Sequence, residues 1–278
     1  MIELKSDLLF FGYGEITKEL INLFTSDGFE VFCITNQPTK SVTKNVKFIN
    51  RTEVRSYKIL CDYAFFSWRD QQLLNQKESQ LYEWLLNSLT VRSGSYVFSS
   101  ASLYKDSPFA VNESAMNLHS SVSNNPKFLL ETEVASLMKC KQVPNSNLRI
   151  SNIYGTNIKY GLIGQLIESE KTKETVKVYS DVEFVRDYLF LSDLYDALRL
   201  LIRGSIHINT LNIATGIGLG VDDVVNHLET LSFKVNYERI SGTTPIYKKV
   251  SILDNSLCKS LVQWSPKSLR ENLNLMRA

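Results

Sequence analysis

FFGYGEITKEL, residues 10–20, sets two glycines between an apolar run and an amphipathic one. Ahead of Gly12, Leu8 to Phe11 forms a short apolar run of the kind that becomes a buried strand. Behind Gly14, Ile16, Leu20, Leu23 and Phe24 recur at helical spacing. The stretch therefore predicts strand, turn and helix in that order. Gly12 permits the tight turn, and Gly14 lets a pyrophosphate approach the backbone at the helix N-terminus. Thr17 occupies the place of the third glycine in G-x-G-x-x-G, so the fingerprint is partial. The same residues would also serve a plain strand-to-helix turn. Their place at the first strand and first helix favours a dinucleotide site.

Outward from this turn the pattern repeats. Glu30 to Thr35, Val46 to Ile49, Asp62 to Phe66, Ser95 to Ser99 and Leu148 to Ile153 read as strands, and Leu81 to Leu89 and Phe128 to Met138 as helices. Continuously apolar strands alternating with helices predict an α/β fold: a Rossmann-type doubly wound parallel sheet covered on both faces. Past Tyr154 the alternation becomes less regular. The expected division is 1–157 with 184–215 as the dinucleotide-binding domain, and 158–183 with 216–278 as a smaller substrate lobe. A chain of 278 residues, 44% hydrophobic and 22% charged, has enough apolar side chain for an ordinary core. Its net charge of +2 gives no reason to expect nucleic acid or a membrane surface as partner. No apolar run reaches the 18 residues of a membrane span. The opening residues carry Glu3, Lys5 and Asp7 and read as a first strand rather than a signal peptide. Cys33, Cys61, Cys140 and Cys258 lack metal or redox spacing, and no metal site is expected. They read as buried thiols of a cytoplasmic protein in a reducing compartment.

The end of the second strand reads CITNQPTK, residues 33–40. An acid there would bind the ribose hydroxyls of NAD. Thr35 and Asn36 stand in its place, and Lys40 is within reach of a 2′-phosphate. The choice within NAD(P) tilts towards NADP.

Several stretches together resemble the extended short-chain dehydrogenase/reductases, in the branch of NAD(P)-dependent nucleotide-sugar epimerases and dehydratases. YVFSSASLYKD (96–106), RISNIYGTN (149–157), VYSDVEFVRDYLFLSDLYDAL (178–198), LNIATGIGLGVDDVV (211–225) and SILDNSLCKSLVQWSP (251–266) follow the family's order across nearly the whole chain. The resemblance implies a nucleotide-sugar or related small molecule as partner, and allows a homodimer. It places Ser100 at the family's catalytic hydroxyl, where it would bond a substrate oxygen, and Arg186 at an arginine that contacts substrate phosphates. Asn152 falls near the substrate pocket. Simpler roles compete: Ser100 as a strand-end cap, and Arg186 in an ion pair with Asp187 or Asp193.

The family's active pair is a tyrosine and a lysine four residues later, on one helical face. The lysine lowers the phenol's pKa and holds the nicotinamide ribose. In SNNPK, residues 123–127, the lysine position is Lys127 and the tyrosine position is Ser123. No tyrosine occurs between Tyr104 and Tyr154. Asn125 and Pro126 make a good helix start, leaving Ser123 outside; alternatively Ser123 is itself the cap. Tyr104, Glu131 and His119 are the other candidate acids or bases. Three functions follow: an enzyme with an atypical site, a cofactor- or sugar-nucleotide-binding protein acting as sensor or partner of an active paralogue, and a structural subunit.

Overall fold

A computed structural model describes residues 1–36, 44–67, 79–179, 184–241 and 248–277. The strand–turn–helix expected at the glycines is β1 (Ile2–Phe11) leading into α1 (Glu15–Ser26). There follow β2 (Val31–Thr35), β3 (Val46–Asn50), β4 (Tyr57–Phe66), α2 (Ser79–Ser88), β5 (Leu89–Ser100), α3 (Pro126–Cys140) and β6 (Asn145–Ile150). The remainder runs β7 (Asn152–Tyr154), α4 (Gly161–Thr172), β8 (Val176–Tyr179), β9 (Val185–Phe190), α5 (Leu191–Arg203), β10 (Thr210–Ile213), β11 (Gly218–Leu219) and α6 (Val221–Thr230). It closes with β12 (Tyr237–Ile240), β13 (Val250–Ser251), α7 (Ser256–Val262) and α8 (Leu269–Arg277).

Seven strands form one sheet in the order β10-β6-β5-β4-β1-β2-β3. The order reverses at β1, so the glycine turn at its carboxyl end lies at a topological switch point, where open α/β sheets bind ligands. Register at the centre is fixed by apolar pairs. Phe10 and Phe11 of β1 lie opposite Phe65 and Phe66 of β4, and each pair stacks with ring centroids 4.6 and 4.5 Å apart. All four rings are fully buried, as strands covered on both faces require. Beneath α2 and α3, Leu85, Trp84, Leu130, Val134 and Leu137 close one face of the sheet.

The chain divides into two compact units. The first comprises Met1–Ser100, Ser121–Arg149 and Leu201–Leu211; the second comprises Ala101–Ser120, Ile150–Leu200 and Asn212–Ala278. The division differs from the one the element pattern suggested. Residues 150–157 and 184–200 group with the second unit because β7 and β9 pair with each other, and β11 and β13 add to β9. A second core packs Tyr154, Leu166, Tyr188, Val224, Leu228 and Leu273.

Cys33, Cys61 and Cys258 are buried free thiols, as expected. Cys140 is exposed instead, because it closes α3 on the polar side of the last turn. No described helix is long and apolar enough to cross a membrane.

Candidate functional site

In the first unit, Gly12 adopts φ +98°, a backbone angle that favours glycine. Its N–H donates to the Ile34 carbonyl at 3.0 Å, fixing the turn against β2. Gly14 is the N-cap of α1, in extended conformation and with no side-chain cap. The first helical bond is donated by Lys18 to the Gly14 carbonyl, at 2.9 Å. A Cβ added at Gly14 would meet nothing within 4 Å. The protein's own packing therefore does not demand a glycine there. What the glycine preserves is open space over a helix N-terminus, the setting that accepts a pyrophosphate. The residues present thus fit a dinucleotide.

Thr17 departs from the fingerprint for a structural reason. It is buried, and its hydroxyl lies 3.1 Å from that of Ser67, which donates to the Phe11 carbonyl at 2.8 Å. The threonine ties α1 to the ends of β1 and β4. Thr35 is buried at the end of β2, where its carbonyl accepts from the Arg51 N–H, and Asn36 beyond it is exposed. Lys40 lies outside the described residues.

Ser100 ends β5, half-buried, and Lys127 reaches the same strand end: its Nζ donates to the Phe98 carbonyl at 2.9 Å. The start of α3 is unambiguous. Asn125 caps it, its Oδ1 accepting from the Lys127 N–H at 2.9 Å, and Pro126 takes the first helical position. Ser123 stands in the 3₁₀ turn 122–124, exposed and outside the helix. Ser123 and Lys127 do not share a helical face.

Of the other candidate acids and bases, Glu131 and Tyr104 have side chains engaged in structural contacts. Glu131 forms a two-bond ion pair with Arg149, at 3.0 and 2.8 Å, with both side chains almost wholly buried. Tyr104, in the second unit, is buried and donates to the Asn212 side chain at 2.7 Å. His119 is exposed, and its backbone N–H donates to the Leu103 carbonyl.

The second unit holds a cavity of about 300 Å³ lined by Asn152, Tyr160, Tyr179, Phe184, Arg186 and Tyr188, among others. The N-terminus of α4 also borders it, with no side-chain cap on Tyr160. Asn152 donates to the Asp187 carbonyl at 3.0 Å, which joins β7 to β9. Arg186 makes neither of the ion pairs its sequence neighbours offered. Its guanidinium lies over the Phe184 ring at 5.1 Å and donates to the carbonyls of Val185, Lys248 and Lys249. Asp187 is spent on Thr215 and Gly216, accepting three bonds of 2.8 to 3.0 Å, while burial raises its pKa. Asp193 accepts from Asn272.

The residue that sequence reasoning missed is Lys248. Its Nζ lies 3.3 Å from the Ala101 carbonyl, and its pKa is pulled down to about 8. Burial is the main cause; Asp106 opposes the shift and Arg186 adds to it. No motif marks it, because the residues that surround it come from far away in sequence.

A doubly wound sheet with a glycine turn at its switch point, joined to a second unit built on β7 and β9, defines a protein of the extended short-chain dehydrogenase/reductase class. The model of the NAD dependent epimerase/dehydratase family matches residues 76–214, half of the chain, and the chain belongs to that family. Among curated proteins, dTDP-4-dehydro-6-deoxyglucose reductase of Escherichia coli is 26% identical over 147 residues, which make up 50% of this chain and 46% of that protein. The match thus spans about half of the relative's length. Among solved structures, MoeE5 in complex with UDP-glucose and NAD superposes with a TM-score of 0.78 at 20% identity, covering 98% of this chain and 97% of that one. UDP-glucose 4-epimerase of Thermus thermophilus in complex with NAD also gives 0.78, at 17% identity and with 99% and 98% covered. At these identities the likeness is one of fold.

Proposed function

We propose that this chain is an NAD(P)-dependent enzyme that epimerises, dehydrates or reduces a nucleotide-linked sugar. The cavity of the second unit carries the reading. Its tyrosine and phenylalanine walls suit the flat base of a nucleotide. Arg186 and the uncapped N-terminus of α4 suit the diphosphate that follows the base. The glycine turn of the first unit supports a dinucleotide cofactor, with Gly12 shaping the turn and Gly14 keeping the approach open. Bound there, a nicotinamide supplies a reversible acceptor for hydride. Lys127 would hold its ribose, and Ser100 would donate a hydrogen bond to a substrate oxygen. The relatives solved with UDP-glucose and NAD support the same pairing of ligands.

Within NAD(P), the end of β2 presents the neutral Thr35 and Asn36 and no carboxylate. NADPH then binds at least as tightly as NADH. A second reading, a binding protein without redox chemistry, rests on one observation: no phenol precedes Lys127 by a helical turn, and Ser123 is outside α3. Turnover separates the two. The full chain is incubated with NAD(P) and either UDP-glucose or UDP-glucuronic acid, and the sugar is followed by NMR. The enzyme reading expects conversion of a bound sugar. Tight binding of both ligands with no conversion favours the binding protein.

A further inference from the structure

We propose that the amino end of β1 pairs with the same strand of a second copy of this chain, antiparallel and about a twofold axis at Leu4. The pairing concerns the first unit alone. β2 joins β1 only from Leu8 onward, where Leu8 stands opposite Val31. Ahead of that point β1 runs as Ile2–Ser6, paired with Tyr57–Cys61 of β4, and β4 in turn pairs there with Leu89–Val91 of β5. On the side away from β4, no described strand pairs with Ile2–Ser6. Alternate residues of such an edge turn their N–H and C=O groups outward, which makes it a template for another strand.

The side chains select the partner. Successive side chains of a strand point to opposite faces. Leu4 packs against the first unit's core, and Ile2, on the same face, is 59% exposed. Glu3 and Lys5 take the other face, and both are exposed. In an antiparallel pair with its axis at Leu4, Glu3 lies opposite the partner's Lys5, and Lys5 opposite the partner's Glu3. Both pairs are attractive. An axis at Glu3 or at Lys5 would instead set like charges opposite each other, which destabilises a ladder. The axis at Leu4 satisfies both residues and fixes the register. Leu4 then meets the partner's Leu4, and Ile2 gains that same leucine as a diagonal neighbour. A lysine on an edge commonly keeps strands apart. Here its two-residue spacing from Glu3 makes it attractive to a copy of itself. The glycine turn follows the opposite end of β1, so cofactor binding does not depend on the pairing.

Sedimentation equilibrium of the full chain tests this, from about 1 µM to about 1 mM, since so small an interface holds weakly. The unmodified chain is expected to dimerise reversibly. Lys5→Glu sets glutamate opposite glutamate twice and raises the dissociation constant about tenfold or more. Glu3→Lys/Lys5→Glu exchanges the two charges, keeps both pairs attractive and restores the dimer. Both residues are exposed, so these variants fold, which circular dichroism checks. Hydrogen exchange supplies the location: the backbone amides of Ile2–Ser6 gain protection as concentration rises in the unmodified chain, and not in Lys5→Glu. A chain that stays monomeric throughout overturns the proposal. A dimer that Lys5→Glu leaves intact, or that the exchanged variant fails to restore, uses another face and overturns it too.

Discussion

Replacing Glu131 by alanine tests whether that carboxylate serves structure or chemistry. Glu131 lies on α3 and Arg149 on β6, with side chains 4% and 5% exposed. Two hydrogen bonds of 3.0 and 2.8 Å join them. Glu131→Ala leaves the guanidinium in the first unit's interior without its carboxylate. Breaking a buried pair in this way costs about 3–5 kcal/mol. At ~2–4 °C per kcal/mol for a chain of this size, Tm falls by roughly 6–20 °C. Scanning calorimetry measures it. Glu131→Gln keeps the shape and loses the charge, so it should fall between the two. Replacing both partners by methionine removes the stranded charge, and apolar substitution of a buried pair is often close to neutral. The double variant should therefore recover most of the loss. An unchanged Tm in Glu131→Ala, with a large fall in kcat, would refute the structural assignment and return Glu131 to the active site.

Three further outcomes are expected. Ser123→Tyr leaves kcat unchanged because residue 123 lies before the helix, whereas a rebuilt acid–base pair would raise it about 10²-fold or more; steady-state kinetics on UDP-glucose decides between them. Gly94→Ala puts a Cβ 1.9 Å from the His207 ring, which stacks on Tyr96 and Tyr63 and has little freedom to move. Overpacking of this kind costs about 1–3 kcal/mol, read as a lower urea midpoint that Gly94→Ala/His207→Ala partly restores. Burial lowers the pKa of His207, so as pH falls the unfolded chain takes up its proton first, near about 6.5. The contribution of His207 to stability is complete above that pH and is lost below it. The gap in urea midpoint between His207→Phe and the unmodified chain should therefore shift in the variant's favour from pH 7.5 to pH 5, and a pH-independent gap would contradict the assignment.

The first strand, the glycine turn and the first helix were legible because each rests on local chemistry: an apolar run, two residues without Cβ and a helical repeat. The strand alternation was legible for the same reason, and it led to the doubly wound sheet. Strand starts were not. β4 begins at Tyr57 and β5 at Leu89, several residues before the apolar runs that announce them, because polar residues there alternate with buried ones. The start of α3 was left open between two capping residues, and the bond from the Lys127 N–H to Asn125 decides it. Thr17 looked like a degraded glycine and is instead a tie between α1 and Ser67. Arg186 was expected beside an acid or a phosphate, and it binds carbonyls some 60 residues further on. Lys248 gave no signal at all, since its character comes from Asp106, Ala101 and Arg186, which only folding brings to it.

Calorimetric titration of NAD(P) and then UDP-glucose into the full chain tests the central claim most directly. Both ligands should bind. Gly14→Val should abolish cofactor binding by filling the open space over α1, leaving UDP-glucose unaffected. Arg186→Ala should weaken UDP-glucose and leave the cofactor unaffected. The absence of heat from either ligand in the unmodified chain, or a Gly14→Val variant that binds the cofactor as before, would contradict the account.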